Sequence, residues 1–547
     1  MRPFLTLHHP AAAKRYYAGG QWRDETLYGL LAKHAAERPS AFAARDGSRR
    51  LTWSQMRAWV DDNAAALAEA GVTAGDRVSM WTDNKLEAVA LFLACARSGI
   101  ACNPSLHRTY TSGEIVQLLD RLQSKVLLTR AGWGADGIDG GISPLLKSAT
   151  SLKAIWTPDT MAMPSDRRVS PRGSTRPTAP VTDPDKVAYL AFTSGTTGAP
   201  KCVMHSDNTL LANARDLVRE WGHGPHSKIL SLSPLSHHIA WVGVAQWLLA
   251  GAEFITDDPP PNVARLDWII DTGATYVLGV PTHAMDILAE QKKRGIARLG
   301  KVEVFYMAGS PIPPTVAAAF VAQDIKPQNV YGMTENSSHQ FTHPSDTTET
   351  IVNTCGRGGP AYEVRVFDPA NPDDEVATGT VGHIGGRGAA LMLGYFDNQN
   401  ATETSFNRDG WFMSGDLGVL DAHGNLKIEG RLKDLIIRGG HNIYPAEIEA
   451  LALRHAAVAR CAAFPVADER LGERVCIAII GGIEPAALLD HLAAEGLSKY
   501  DMPEYFLRLD AFPLTPSGKI LKRELIEMVK RGELSAVPVR YSAAKET

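Results

Sequence analysis

Apolar residues near the start of the chain recur with two alternating periods. Segments 27–38 and 54–70 place apolar residues at the period of an amphipathic helix, and segment 86–98 is also predicted to be helical. Segments 76–81 and 125–129 are short apolar runs typical of buried strands. Strands separated by helices at this spacing predict an α/β fold with a largely parallel sheet.

The pattern changes twice further along the chain. Residues 157–184 contain six prolines among Ser, Arg and Asp, which predicts an exposed, irregular excursion. Alternation of strands and helices resumes after it, and residues 356–430 are glycine-rich and strand-like. The remainder has the pattern of a small α+β unit. Because 547 residues are too many for one compact core, we expect at least two domains, with three lobes as the alternative. The last change of pattern divides the chain into 1–432 and 433–547.

Composition excludes several classes of protein. A net charge of −4 gives no basic field for nucleic acid, so no nucleic-acid partner is expected. No apolar run approaches the ~20 residues of a membrane span, and residues 1–13 lack the apolar core of a signal peptide. The six cysteines form no C-x-x-C pair and are expected to be reduced core thiols. These features predict a cytoplasmic enzyme.

A loop rich in glycine and hydroxyl groups follows the apolar run 187–192 directly. Its glycines let the backbone turn and present N–H groups, and its lysine adds a positive charge, so the loop has the chemistry of a phosphate cradle. The spacing differs from the Walker pattern, and a polar surface turn remains the alternative on composition alone. The loop residues are Thr193, Ser194, Gly195, Thr196, Thr197, Gly198 and Lys201.

This loop, taken as a whole string, resembles the phosphate loop of the adenylate-forming superfamily. That superfamily comprises AMP-forming acyl-CoA synthetases, peptide-synthetase adenylation domains and luciferases. Four further segments stand in the order that the resemblance requires. They are Ala308-Gly309-Ser310, Asn329-Val-Tyr-Gly-Met-Thr-Glu335, Gly410-Trp-Phe-Met-Ser-Gly-Asp416 with Gly430-Arg431, and Pro513-Leu-Thr-Pro-Ser-Gly-Lys519.

The resemblance implies a fold and a set of nucleotide contacts. The fold is a large N-terminal domain of parallel-rich sheets and helices with a small β-barrel-like lobe, followed by a small α+β C-terminal domain on a hinge. The residues implied to bind adenine and ribose are Gly309, Ser310, Asn329, Tyr331, Gly332, Asp416 and Arg431. The residues implied to act on the phosphates are Thr334, Glu335 as the Mg²⁺ ligand with Thr196 as a further candidate, and Lys519 at the α-phosphate.

Residues 431–449 indicate a branch of the superfamily. By resemblance Lys433 is the hinge, and Gly439 and Gly440 line the tunnel for the pantetheine arm of CoA. Two residues without side chains suit a narrow path close to backbone. Luciferases have a lysine where this chain has Gly439, which argues against light emission. Amino-acid-activating domains have an aspartate in the segment that matches 231–246, and this chain has none there.

The acyl group is expected to bind beside the segment 233–240. By resemblance His237 borders both the acyl pocket and the CoA tunnel, with His238 as the competing candidate. Trp241 and Val244 are expected as pocket walls. Their bulk favours a medium-chain, alicyclic or aromatic acid over acetate.

Together these features predict an ATP-dependent, AMP-forming carboxylic acid–CoA ligase that requires Mg²⁺. Two alternatives stay open, an adenylating enzyme that loads a carrier protein and a non-catalytic nucleotide-binding relative. The resemblance also implies a lysine acetyltransferase that acts on Lys519 as a regulatory partner. A homodimer is left open as the oligomeric state.

Overall fold

The computed structural model describes residues 6–7, 9–137, 141–161, 179–193, 200–514 and 520–541. The α-helices of these ranges are, in chain order, α1 (Pro10–Ala18), α2 (Leu27–Glu37), α3 (Trp53–Glu69), α4 (Leu86–Arg97), α5 (Ser112–Leu122), α6 (Asp207–Trp221), α7 (His238–Ala250), α8 (Arg265–Thr272), α9 (Pro281–Arg294), α10 (Pro314–Val321), α11 (Thr348–Asn353), α12 (Gln399–Glu403), α13 (Pro445–Ala452), α14 (Pro485–Ala494) and α15 (Lys522–Lys530).

The strands of the same ranges form four sheets. They are β1 (Phe42–Arg45), β2 (Arg50–Thr52), β3 (Arg77–Trp81), β4 (Ala101–Asn103), β5 (Ser124–Thr129), β6 (Ala154–Trp156), β7 (Val187–Thr193), β8 (Lys201–Ser206), β9 (Lys228–Ser231), β10 (Glu253–Thr256), β11 (Tyr276–Gly279), β12 (Val304–Ala308), β13 (Lys326–Met333), β14 (Ser337–Phe341), β15 (Tyr362–Phe367), β16 (Gly382–Gly388), β17 (Phe412–Leu420), β18 (Leu426–Arg431), β19 (Ile436–Arg438), β20 (His441–Ile443), β21 (Val458–Asp468), β22 (Gly472–Gly481), β23 (Tyr505–Arg508) and β24 (Val537–Pro538).

Two largely parallel sheets make up the N-terminal part. The eight-stranded sheet has the order β14-β13-β12-β11-β9-β10-β1-β2, with antiparallel pairs only at its two edges. The six-stranded sheet has the order β6-β5-β3-β4-β7-β8, and its edge pair β7–β8 is antiparallel. Helices connect the parallel neighbours, as the alternating pattern predicts. The predicted α/β class is confirmed.

A large hydrophobic cluster joins the two sheets. All residues of α4 are buried, because between Glu87 and Arg97 this helix is apolar on every face and packs between other elements. Trp53 stacks on Trp247 with ring centroids 5.2 Å apart, and Phe92 packs against Trp241 at 4.3 Å. The rings of α3, α4 and α7 therefore fix the position of the start of α7, where two histidines lie beside the candidate site.

A smaller antiparallel sheet and a C-terminal unit complete the described fold. Strands β15-β16-β17-β18 form a four-stranded antiparallel sheet, which is the lobe expected to be barrel-like. The C-terminal sheet has the order β20-β19-β22-β23-β24, with β21 paired to β22, and packs with α13 and α15. Leu525 of α15 and Ile448 of α13 are fully buried in this unit.

Two absences hold for the described part of the chain. No helix in it is both long and apolar enough to span a bilayer. All six cysteines lie within it and are free thiols, five of them buried. Within the excursion at 157–184, residues 162–178 lie outside the described ranges.

Candidate active site

The two strands that flank the predicted phosphate cradle are hydrogen bonded to each other. Thr193 at the end of β7 is paired with Lys201 at the start of β8, so the loop between them begins and ends at neighbouring positions. Ser194, Gly195, Thr196, Thr197 and Gly198 lie outside the described residues. The Lys201 ammonium lies 4.6 Å from the centre of the Tyr395 ring, a cation–π distance.

Tyr331 of β13, Asp416 of β17 and Arg431 of β18 lie close together. The Tyr331 hydroxyl donates to Oδ2 of Asp416 at 2.8 Å, and Arg431 Nε lies 3.3 Å from Oδ1. Asp416 and Arg431 face each other because β17 and β18 pair them in register. Burial, and then the Asp416 charge, raises the pKa of Tyr331 well above its usual value, so this phenol keeps its proton and acts as a donor.

Glu335 lies in the tight turn between β13 and β14, and the residue is buried, with 8% of its surface exposed. The Tyr395 hydroxyl donates to Oε1 of Glu335 at 2.9 Å. Burial raises the pKa of Glu335, while the Tyr395 hydrogen bond and the charge of Lys201 oppose the shift. A buried carboxylate with a cation nearby is thus present between the phosphate-loop strands and the Asp416 group.

The donor set around Glu335 fits Mg²⁺ bound together with a nucleotide. Mg²⁺ prefers oxygen ligands and is often held by one or two carboxylates plus substrate phosphates. Among the described residues no cluster of three or more Asp, Glu, His or Cys could hold a metal alone. Glu335 supplies a carboxylate, and burial of that group without a counter-ion is unfavourable. The site is therefore suited to a cation that arrives with phosphate.

The turn that carries Thr334 and Glu335 is held from several sides. His205 of β8 donates from Nε2 to the Thr334 carbonyl at 2.6 Å, and Asn336 accepts from Met333 N at 3.0 Å. The backbone approach is so close that a Cβ on Gly332 would stand 1.7 Å from the Ser337 carbonyl oxygen. Glycine is therefore required at 332 by the hairpin itself.

The other predicted adenine contacts lie on β13 or directly after the neighbouring strand β12. Gly309 and Ser310 follow β12 and are exposed, and Gly309 adopts φ +93°. Asn329 is buried in β13 next to β12, and its amide donates to the carbonyls of Ile351 and Thr354 at 2.9 Å. In this structure the Asn329 amide therefore ties the end of α11 to the sheet.

The histidines at the start of α7 differ from the two predicted pocket walls. His237 and His238 are partly exposed, whereas Trp241 and Val244 are 2% and 1% exposed and belong to the main hydrophobic cluster. The Trp241 indole donates to the Leu235 carbonyl at 2.7 Å. The two imidazoles therefore contribute accessible surface to this segment, whereas Trp241 and Val244 contribute almost none.

The predicted hinge and tunnel residues lie in the C-terminal part. Lys433 is the middle residue of a single 3₁₀ turn, Leu432–Asp434, which follows β18. Gly439 and Gly440 form the exposed turn between β19 and β20, with φ +59° and +85°. Lys519 lies outside the described residues, whose nearest members Leu514 and Ile520 are bridged to each other.

Two functional candidates were missed by sequence reasoning. Tyr395 contacts both Lys201 and Glu335 because residues 393–396 hydrogen bond alongside β8, through Leu393 N to Met204 O at 2.8 Å and Phe396 N to Cys202 O at 2.7 Å. His205 reaches the Thr334 carbonyl from β8. Neither residue has a local signal, although His205 lies only four positions beyond Lys201.

Comparison with known proteins agrees with this arrangement. The family model of AMP-binding enzymes matches residues 31–396, and that of the AMP-binding enzyme C-terminal domain matches 447–519. The medium-chain fatty-acid–CoA ligase of Escherichia coli (strain K12) is 29% identical over 537 residues, covering 95% of this chain and 93% of the relative. The salicylyl-CoA synthase / salicylate adenylyltransferase of a Streptomyces species is 31% identical over 567 residues, covering 96% and 97%.

A solved structure gives the same result for the fold. ATP-bound MatB from Rhodopseudomonas palustris superposes with a TM-score of 0.80 at 26% sequence identity, covering 92% of this chain and 99% of that one. The resemblance drawn from the phosphate loop and the four further segments is therefore confirmed. On the span of the family model and the identity to these full-length relatives, the chain belongs to the AMP-binding enzyme family and is an acid–CoA ligase.

Proposed function

We propose that this ligase activates a medium-chain, alicyclic or aromatic acid as its acyl-adenylate on Mg·ATP, and then transfers the acyl group to CoA. The observation that carries the proposal is the meeting of Tyr331, Asp416 and Arg431 beside the buried Glu335. Binding of Mg·ATP needs a carboxylate that accepts hydrogen bonds from the ribose hydroxyls and a second carboxylate that binds the metal. Here the first comes from β17 and the second from the turn between β13 and β14, which lie far apart in sequence.

The nucleotide is held from two directions in this proposal. Asp416 accepts hydrogen bonds from the ribose hydroxyls, with Arg431 close enough to share that contact. Tyr331 stacks on adenine while its hydroxyl keeps Asp416 oriented at 2.8 Å. Gly309, Ser310, Asn329 and Gly332 form the rest of the adenine and ribose contact surface.

In the first half-reaction the substrate carboxylate attacks the α-phosphorus in line, and pyrophosphate leaves. Lys201 and the N–H groups of the loop 193–198 bind the phosphates, and Thr334 contacts both phosphate and carboxylate. Lys519 stabilises the charge that develops on the α-phosphate oxygens. Glu335, with Thr196 as a further candidate, would hold Mg²⁺, and the ion would neutralise phosphate charge when bound.

In the second half-reaction the C-terminal domain, 433–547, rotates against the domain 1–432 about Lys433. The rotation withdraws Lys519 and brings Gly439 and Gly440 to the path of the pantetheine arm. The CoA thiol then attacks the mixed anhydride and AMP leaves. A free thiol has a pKa of ~8.5, so this step requires removal of a proton, for which we assign no base.

The acid class is proposed from the relatives and from α7. One relative is named for medium-chain fatty acids and another for salicylate, an aromatic acid. His237 and His238 contribute accessible surface at the start of α7, and we propose that His237 borders the acyl group. Trp241 and Val244 would shape the pocket from behind, by fixing the position of that helix turn within the core.

Pyrophosphate exchange across a panel of acids tests the proposal. Octanoate, cyclohexanecarboxylate, benzoate and salicylate should each be compared with acetate, malonate and α-amino acids, followed by thioester formation with CoA. We expect exchange to be fastest with a member of the first group. Preference for acetate or an amino acid would refute the acid class, and transfer to a phosphopantetheinyl carrier protein but not to CoA would refute the acceptor.

A further inference from the structure

Two buried side chains and one partly exposed side chain contact parts of the candidate site that lie far apart in sequence. His205 belongs to β8, Tyr189 to β7, and His238 begins α7. The rings of His205 and His238 are nearly parallel, with centroids 5.5 Å apart, and Tyr189 lies 5.3 Å from His238. These side chains stand between the strands that flank the phosphate loop and the turn of Thr334 and Glu335.

The hydrogen bonds of His205 fix its tautomer. The Thr334 carbonyl can only accept, so Nε2 of His205 must carry the proton that it donates at 2.6 Å. Nδ1 is then an acceptor, and the Thr209 hydroxyl stands 3.0 Å from it. His205 is completely buried, and burial lowers its pKa to about 4, which keeps the ring neutral at pH 7.

His238 makes a second contact with the same turn. One of its nitrogens lies 2.9 Å from the Ser337 hydroxyl and the other 3.2 Å from the Tyr189 hydroxyl. Ser337 has φ +56°, a left-handed conformation that costs a non-glycine residue about 1–2 kcal/mol and therefore needs support from its surroundings. The turn is thus hydrogen bonded at its first residue by His205 and just after its last by His238.

We propose that His205 and His238 are positioning residues, which hold the turn of Thr334 and Glu335 against β7 and β8 for adenylate formation. They touch neither nucleotide nor acid in this proposal, and act by fixing the backbone from which Thr334 and Glu335 project. The inference rests on the proposed function only for its effect on rate, since the hold on the turn is a property of the free protein.

Two substitutions of His205 distinguish the effect of losing its hydrogen bond to the Thr334 carbonyl from the effect of losing the imidazole ring. In His205→Gln the side-chain amide nitrogen occupies nearly the place of Nε2 and still donates to Thr334. In His205→Asn the shorter amide matches Nδ1 and cannot reach that carbonyl. His34 offers a matched control, because its Nε2 also donates to a backbone carbonyl, Leu248 O at 2.7 Å, in a buried place on α2.

The test combines amide hydrogen exchange with pyrophosphate exchange on the intact enzyme. His205→Asn should raise the hydrogen-exchange rate of the peptide 330–340 and lower kcat/KM of adenylation by about ten-fold, the equivalent of one buried hydrogen bond. His205→Gln and His34→Asn should stay within about three-fold of wild type in both measurements, which is a smaller change than the loss of one buried hydrogen bond would cause. Ser337→Ala should raise hydrogen exchange in the same peptide.

Two results would overturn the proposal. One is unchanged hydrogen exchange at 330–340 in His205→Asn, and the other is equal effects of the Asn and Gln variants at 205. A wild-type enzyme without pyrophosphate exchange on any acid would instead refute the proposed function. In that case the hydrogen-exchange comparison would still decide whether the two histidines hold the turn.

Discussion

A leucine at position 440 should separate the two half-reactions. Gly440 adopts φ +85°, and no atom of the described structure lies within 4 Å of a Cβ added there. A Cβ at this position therefore meets no neighbour, and the turn is exposed to solvent. The cost of the substitution to folding is the left-handed backbone alone, about 1–2 kcal/mol for a residue with a side chain.

The cost to catalysis is expected to be larger and confined to one step. When the turn of Gly439 and Gly440 faces the pantetheine path, a leucine side chain would obstruct a channel that fits a chain of methylene width. We expect thioester formation to slow by at least ~100-fold, which corresponds to about 3 kcal/mol of barrier. Adenylate formation should remain near the wild-type rate, because the turn is exposed and is not required for that step.

Gly295 provides the matched control for backbone strain. It follows α9 with φ +65°, and a Cβ there also meets no atom within 4 Å. Gly295→Leu should lower thermal stability as much as Gly440→Leu and leave both half-reactions unchanged. Single-turnover assays would measure adenylate formation from Mg·ATP and acid, and thioester formation from supplied acyl-adenylate and CoA. Equal slowing of both steps in Gly440→Leu, or slow thioester formation in both variants, would refute the reasoning.

Three further outcomes are expected. Lys519→Ala should form the adenylate at least ~100-fold more slowly, yet convert supplied acyl-adenylate to thioester at a near wild-type rate. Acetylation of Lys519, located by mass spectrometry, should have the same effect on the two half-reactions. Equal loss of both half-reactions would contradict this role of Lys519. Lys433→Pro should slow thioester formation while adenylation persists, because proline fixes φ at the pivot, and equal loss of both steps would place the pivot elsewhere. Burial lowers the pKa of His223 from its usual 6.5 to about 4, so the unfolded state binds more protons between these values and stability is lost as the pH falls through that window. His223→Phe keeps an aromatic ring against Tyr276. The substitution should remove about 2 kcal/mol of the stability that is lost between pH 7 and 5, as measured by denaturation at both pH values. An unchanged pH dependence of stability would contradict the lowered pKa of His223.

The elements of the fold were predictable where periodicity is strong. The segments 27–38 and 86–98 correspond to α2 and α4 within one residue at each end, because helix periodicity is a local property. The order of strands was not predictable in the same way. β4 pairs with β7, although the whole of β5, β6 and the Pro-rich excursion lies between them in sequence. No local pattern encodes that choice of neighbour.

The site shows the same division. Asp416 and Glu335 could be named as candidates from the sequence because each stands in a string with a specific order of residues. Tyr395 was not found, since its role depends on residues 393–396 lying beside β8 rather than on its own sequence context. Trp241 stays a predicted wall of the acyl pocket, and its packing against Phe92 could not be predicted from its position in the helix alone. Side-chain partners distant in sequence need the tertiary structure.

The pairing of Asp416 with Arg431 bears on the fate of the reactive intermediate. Arg431 lies two residues before the proposed pivot, so the proposed ribose-binding pair would stand at the edge of the domain that is proposed to remain stationary. In this proposal the acyl-adenylate would stay bound through its nucleotide while the C-terminal domain rotates, withdrawing Lys519 and bringing Gly439 and Gly440 to the site. A mixed anhydride released into water would be lost to hydrolysis. Retention through the rotation would commit each activated acid to the thiol, and would make AMP the last part of the nucleotide to leave.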